Sequence, residues 1–170
     1  QSTRLAPREL TGRNYMYKTI LVPLDGSKRA EAILPHVKEM AAFHGSSVVF
    51  LRVFEIPHIT PVMAVSNEEY EALPHLSREE LIGLVEEAQN YLRGICKEMT
   101  DHGISGRFRV EYGPVAATII NTAAQENADL VAMASHGSSG LEGVYYGSVA
   151  AGVLQRVDRP LLIVRAYDID

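Results

Sequence analysis

Two stretches of this chain carry residue types suited to holding an anion. The first is Met133-Ala134-Ser135-His136-Gly137, then nine residues, then Gly147-Ser148. Ahead of it, Ala128 to Met133 reads as a buried strand; behind it, Ser148 to Leu154 reads as the opening of a helix. A glycine-bearing loop between a strand end and a helix start gathers backbone N–H groups and the positive end of the helix dipole at one spot. Phosphate is the usual occupant of such a spot. Gly137 allows a sharp turn close to a ligand, while Gly147 and Ser148 offer N–H groups and a hydroxyl. The second stretch is Pro23-Leu24-Asp25, where a carboxylate follows the carboxyl end of an apolar strand. Open α/β sheets bind their ligands there, although Asp25 taken alone is better read as a turn or capping residue.

Several rival chemistries are excluded by spacing. A Walker A loop needs a lysine that the Gly143 to Ser148 stretch lacks, and no Gly-x-Gly-x-x-Gly follows the first strand, which disfavours a nicotinamide or flavin fold. No Gly-x-Ser-x-Gly elbow is present, and Ser135 beside His136 does not make a triad, because sequence neighbours rarely reach triad geometry. His136 is as well read as a structural loop residue as an acid or base. His58 and His75 lack metal-ligand spacing. The reading is a cradle without catalytic residues or a protein-borne metal site, so any turnover of a bound phosphate compound would be slow.

The same residues carry a family resemblance. Universal stress proteins have a strand ending in Gly-x-x-Gly, nine residues, then Gly-Ser or Gly-Thr. This chain has Ala134-x-x-Gly137, nine residues, Gly147-Ser148, so it is similar to that pattern with alanine in place of the first glycine. The resemblance implies an adenine nucleotide alpha hydrolase-like fold and, in the ATP-binding branch, a loop that holds ribose and phosphates. It implies that Asp25, in its strand-Pro-x-Asp context, contacts the adenosine part, and that the Val53 backbone meets the adenine edge. The residues expected to hold ATP, ADP or AMP, accompanied by Mg²⁺, are then Pro23, Leu24, Asp25, Val53, Met133, Ala134, Ser135, His136, Gly137, Gly147, Ser148 and Val149. The resemblance also implies a homodimer paired through the last strand, 161–164, whose apolar edge would otherwise invite aggregation.

The elements that must position these residues alternate along the chain. Lys18 to Pro23 is a short apolar run that predicts a central strand buried on both faces. Ser27 is an N-cap for one helix reaching about His44, with Pro35 as an interior blemish. Ser47 to Val53 is the second strand, and Phe54 to Leu76, with Pro57, Pro61 and Pro74, reads as a long loop. Ser77-Arg78-Glu79-Glu80 is a capping box opening a helix to about Thr100, with Leu81, Leu84, Val85, Ala88, Leu92, Ile95 and Met99 as its apolar stripe. Cys96 lies beside that stripe as a buried thiol. Gly106 to Tyr112 alternates as an edge strand, Gly113-Pro114 begins a helix through Glu126, and Arg159 to Val164 holds the last strand. The alternation predicts an α/β fold, an open parallel five-stranded sheet with helices on both faces. In the order 3-2-1-4-5, strands 1 and 4 lie side by side, and Asp25 faces the Gly137 loop across one crevice.

Composition bounds the function classes. A length of 170 residues with 46% hydrophobic and 22% charged residues suits one globular domain, here 16–170. Residues 1–15 show no helical or strand period and read as a flexible extension or an expression remnant outside the fold, with Met16 a candidate initiator. The net charge of −5 argues against nucleic acid as a partner, which needs a surplus of lysine and arginine. No apolar run approaches the ~20 residues that span a bilayer. A single cysteine, Cys96, fits a reducing cytoplasm. The function expected is that of an adenine-nucleotide-binding stress-response protein, regulatory rather than strongly catalytic. The alternative is a dimeric interaction scaffold of the same fold that binds no nucleotide, a reading that Ala134 favours.

Overall fold

The computed structural model describes residues 16–55, 78–136 and 146–165. The first strand, β1 (Thr19–Pro23), runs through the middle of the sheet, with its three central residues fully buried. Alternation splits them between two cores. Ile20 and Val22 join Val37, Phe50, Leu92 and Met99 on one face, and Leu21 joins Val49, Leu51, Ile119 and Val153 on the other. Side chains on successive strand residues point to opposite faces, so an unbroken apolar run is what a strand covered on both faces requires. Each such side chain contributes roughly 1.5–3 kcal/mol by leaving water.

Where one helix was expected from Ser27 to about His44, the structure has two. α1 (Lys28–Glu31) is capped by Ser27, whose hydroxyl accepts from the Ala30 amide at 3.1 Å. α2 (Leu34–His44) starts afresh with Pro35 in its first turn. Between them the Ala32 and Ile33 amides turn back to the Arg29 and Ala30 carbonyls, three residues earlier, at 3.2 and 3.5 Å. Proline has no N–H to return to the residue four before it, and its ring crowds that carbonyl; inside a helix this breaks the ladder, while at a first turn it costs nothing. Pro35 therefore restarts the helix rather than kinking it.

β2 (Ser47–Phe54) runs one residue beyond the expected strand, so Phe54 belongs to the sheet and not to the loop. α3 (Arg78–Asp101) buries Ala88, Leu92, Ile95 and Met99, but Leu84 is exposed, a correction to the expected stripe. Ser77, half of the expected capping box, lies outside the described residues, as do residues 1–15 and 56–76. Cys96 is half-buried, and burial pushes its thiol pKa up, away from reactive thiolate. β3 (Gly106–Tyr112), α4 (Val115–Gln125), β4 (Leu130–Ala134), α5 (Ser148–Leu154) and β5 (Leu161–Val164) complete the chain order. The sheet is five-stranded in the order β3-β2-β1-β4-β5, and every neighbouring pair is parallel. This is the expected architecture.

Two local details set the position of α5, which opens at the functional end. A Cβ on Gly152 would lie 2.9 Å from the Ala116 Cβ, so glycine there lets α5 approach α4 closely. Below it, an Arg159 N–H group donates to the Ala123 and Ala128 carbonyls, each at 2.9 Å, and ties the turn before β5 to the end of α4.

Candidate functional site

The carboxyl ends of β1, β2 and β4 meet the starts of α1, α4 and α5 around a cavity of about 310 Å³. Pro23, Leu24 and Asp25 enter it from β1, Val53 from β2, Met133, Ala134, Ser135 and His136 from β4, and Gly147, Ser148 and Val149 from the start of α5. The structure thus brings eleven of the twelve expected residues to one cleft. The twelfth, Gly137, lies outside the described residues. The cleft opens at the switch point, where the connection from β1 goes to β2 on one side and β4 lies on the other.

The β1 side of the cleft is held by a compact turn. The Leu24 amide donates to the Leu51 carbonyl at 2.8 Å, which carries the β1–β2 ladder past Pro23. Gly26 takes φ +85°, a left-handed value that favours glycine. This folds Asp25 over Ser27, so that its Oδ1 accepts from the Ser27 amide at 2.9 Å and the Ser27 hydroxyl at 2.6 Å. Asp25 is therefore a turn residue and a cavity-lining carboxylate at once. α1 is braced from outside by Tyr91 on α3, whose hydroxyl donates to Glu31 Oε1 at 3.1 Å. Burial first, and the Glu31 carboxylate next, push the Tyr91 pKa well up, so it remains a protonated donor.

The β4 side is built on Ser135. Its amide donates to the Val164 carbonyl at 2.8 Å, and its own carbonyl accepts from the Gly147 amide at 2.9 Å. The Gly147 N–H, expected to face a phosphate, is thus spent closing the loop onto β4. The Ser148, Val149 and Ala150 amides remain ahead of the first bond along α5, from Ala151 to the Gly147 carbonyl at 2.9 Å. Gly147 is the N-cap and supplies no side-chain cap to them. Ser135 is fully buried, with its Oγ 3.0 Å from His136 Nδ1. The other ring nitrogen, Nε2, is buried without a hydrogen-bond partner among the described residues. A buried polar atom left unpaired costs about 1–3 kcal/mol, which a ligand group at this nitrogen would recover. Among the described residues no group of three or more His, Cys, Asp or Glu side chains could hold a metal ion.

Sequence reasoning missed several lining residues: Ala30, Leu51, Arg52, Phe54, Glu55, Val115, Ile119 and Ala150. A usable signal existed for Arg52, since a cation inside an apolar parallel strand has to leave the core somewhere, and the strand's carboxyl end is where it can. Phe54 and Glu55 fall in the stretch that the sequence reads as a loop, and the helix residues carry only core periodicity.

A sequence profile of the universal stress protein family matches residues 16–165. The chain belongs to the universal stress protein family. A universal stress protein of Methanocaldococcus jannaschii, MJ0577, is 30% identical over 156 residues, which covers 88% of this chain and 96% of the relative. A solved structure of MJ0577 superposes with a TM-score of 0.73 over 90% of this chain and 99% of that one. Two more distant structures share the fold. One is a universal stress protein in complex with cAMP, 19% identical, TM-score 0.63, covering 89% of this chain and 98% of that one. The other, from Archaeoglobus fulgidus in complex with dAMP, is 20% identical, TM-score 0.58, covering 87% and 98%. Among the described residues no helix is long and apolar enough to cross a membrane.

Proposed function

We propose that this universal stress protein binds an adenine nucleotide in the cleft between Asp25 and the start of α5, and works by its nucleotide state rather than by rapid turnover. The observation that carries the reading is the convergence of Asp25 with Ser148 and Val149 on one cavity at the switch point. A cavity of about 310 Å³ is at the small end of the roughly 300–1,000 Å³ range of small-molecule sites. That is room for a nucleoside, with its phosphates lying over the α5 amides. The orphaned His136 Nε2 fits a polar ligand as well. That related folds carry cAMP and dAMP supports an adenine ligand in this architecture.

The apolar lining supplies most of the affinity in this reading. The helix-terminus contribution to an anion is only about 0.3–2 kcal/mol, and Asp25 and Glu55 set two negative charges on the cavity wall. Mg²⁺ therefore arrives with the nucleotide, held by its phosphates. Titration calorimetry with Mg-ATP and Mg-ADP should show saturable binding of one nucleotide per chain. Absence of heat up to millimolar nucleotide, together with no adenine absorbance released by acid from freshly purified protein, defeats the proposal. That outcome would favour the second reading, an interaction scaffold, for which the methyl group of Ala134 at the cleft is the supporting observation.

The homodimer belongs to the same proposal. β5 is the last strand on its side of the sheet among the described residues. The Val131 amide bonds the Pro160 carbonyl at 3.0 Å and the Ser135 amide bonds the Val164 carbonyl at 2.8 Å, so alternate residues of β5 face β4. In a parallel ladder the residues between them, Leu161 and Ile163, turn their N–H and C=O groups outward. Ile163→Pro removes one of these donors and is expected to shift the protein from dimer to monomer, read by light scattering on a sizing column. An unchanged mass would remove β5 from the interface. A reducing cytoplasm suits the lone, half-buried Cys96 and is the compartment we assign.

A further inference from the structure

Arg52 is the one lysine or arginine among the described residues that line the cavity. Its guanidinium lies 5.2 Å from the centroid of the Phe54 ring. Phe54 stacks in turn on Tyr112, with centroids 6.0 Å apart and planes at 27°. The cation therefore rests over one ring of an aromatic pair, and a contact with a ring face spends none of its hydrogen-bond donors on an acceptor. Its N–H donors lie in its own plane, in a fork that matches the oxygens of a phosphate. Among the described residues these donors meet no hydrogen-bond acceptor and no carboxylate at ion-pair distance. A guanidinium held beside an aromatic ring on the wall of a ligand cleft, with no acceptor for its donors among the described residues, is a ready anion site.

Its place in the cleft says which anion. Arg52 is on β2, and the α5 amides follow β4; β1 lies between these strands. Neighbouring strands are about 4.8 Å apart, and Arg52 has the parity of Phe50 while α5 packs on the other face, so the two anion-binding features are at least about 10 Å apart. Arg52 lies on the Asp25 side, and the Tyr91 hydroxyl feels the charges of both. A 5′-phosphate over α5 leaves Arg52 beside the nucleoside. An unmodified ribose and adenine offer no charge there.

We propose that Arg52 reads a second anionic group on the ligand, a phosphate monoester on the ribose 2′ or 3′ oxygen, so that this chain prefers an adenosine bisphosphate to AMP. The proposal rests on the nucleotide reading above. The rival account is that Arg52 merely offsets Asp25 and Glu55 through the field, and it gives no such preference.

Calorimetry on the full chain decides between them, with AMP, adenosine 2′,5′-bisphosphate and adenosine 3′,5′-bisphosphate as probes. One of the bisphosphates should bind at least about tenfold tighter than AMP, the increment of a charge-assisted bidentate contact. Arg52→Ala should bring that ratio close to one, and Arg52→Lys should leave it in between, since charge is kept and the fork is lost. AMP binding with no bisphosphate preference in the wild-type protein overturns this inference alone, whatever the variants do. A preference that survives Arg52→Ala overturns it too. No heat with any of the three probes overturns both this inference and the nucleotide reading.

Discussion

Asp25→Ala is expected to weaken adenine nucleotide binding by about 10- to 150-fold. A hydrogen bond to a charged group is worth about 1.5–3 kcal/mol, and each 1.4 kcal/mol is a factor of ten in affinity. Asp25 also has a structural task, because its Oδ1 accepts from the amide and the hydroxyl of Ser27, and Ser27 caps α1. Losing that arrangement costs on the order of 1 kcal/mol of stability. The two roles separate with a second variant. Asp25→Asn keeps an acceptor for the Ser27 amide and so keeps the turn, but it removes the charge. If Asp25→Asn binds nucleotide like the wild type while Asp25→Ala does not, the carboxylate acts through the turn alone. If both variants bind within twofold of the wild type, with melting temperatures lowered only in Asp25→Ala, Asp25 is a capping residue and nothing more.

How much of this was legible in the sequence follows from what kind of signal each residue carries. β1 and β4 were legible because a strand buried on both faces has to be apolar along its buried length, and residues 20–23 and 130–134 are. The cleft was legible through the resemblance of two motifs at the ends of those strands. Pro35 carries a helix-breaking signal, but its effect depends on whether it falls in a first turn, and the pattern does not say where a second helix starts. Leu84 has the right helical spacing for the core yet is exposed, while Ala88, Leu92, Ile95 and Met99 further along the same helix are buried, and spacing alone does not reveal where the partner surface ends. Phe54 was lost to the loop because the prolines that follow it mask the last residue of β2. The fate of the Gly147 amide was hidden for another reason: a hydrogen bond to the Ser135 carbonyl depends on how the loop closes, and glycine allows many closures.

The crevice itself poses a mechanical problem, and Asp129 is its solution. β1 and β4 are paired over Ile20–Leu130 and Leu21–Val131 only, whereas β1 and β2 are paired along all of β1. The short ladder is what opens a cleft between Asp25 and Ser135, but it leaves the centre of the sheet with few main-chain bonds. Directly below it, Asp129 Oδ2 accepts from the Lys18 amide at 2.6 Å and the Thr19 amide at 3.0 Å, and the Asp129 amide donates to the Thr19 carbonyl at 2.8 Å. One carboxylate thus extends the β1–β4 seam at the end away from the ligand. Asp129→Ala strips two charge-assisted bonds, one of them partly buried, and should destabilise the fold by about 2–4 kcal/mol. For a domain of this size that lowers Tm by roughly 4–16 °C. Asp129→Asn, with a neutral acceptor, should lose about half as much. Both variants leave every cavity-lining side chain in place. A weaker nucleotide affinity in Asp129→Ala, measured well below its Tm, would therefore mean that the seam sets the width of the cleft. A melting temperature within 2 °C of the wild type would show instead that Ile20, Leu21, Leu130 and Val131 hold the centre of the sheet by packing alone.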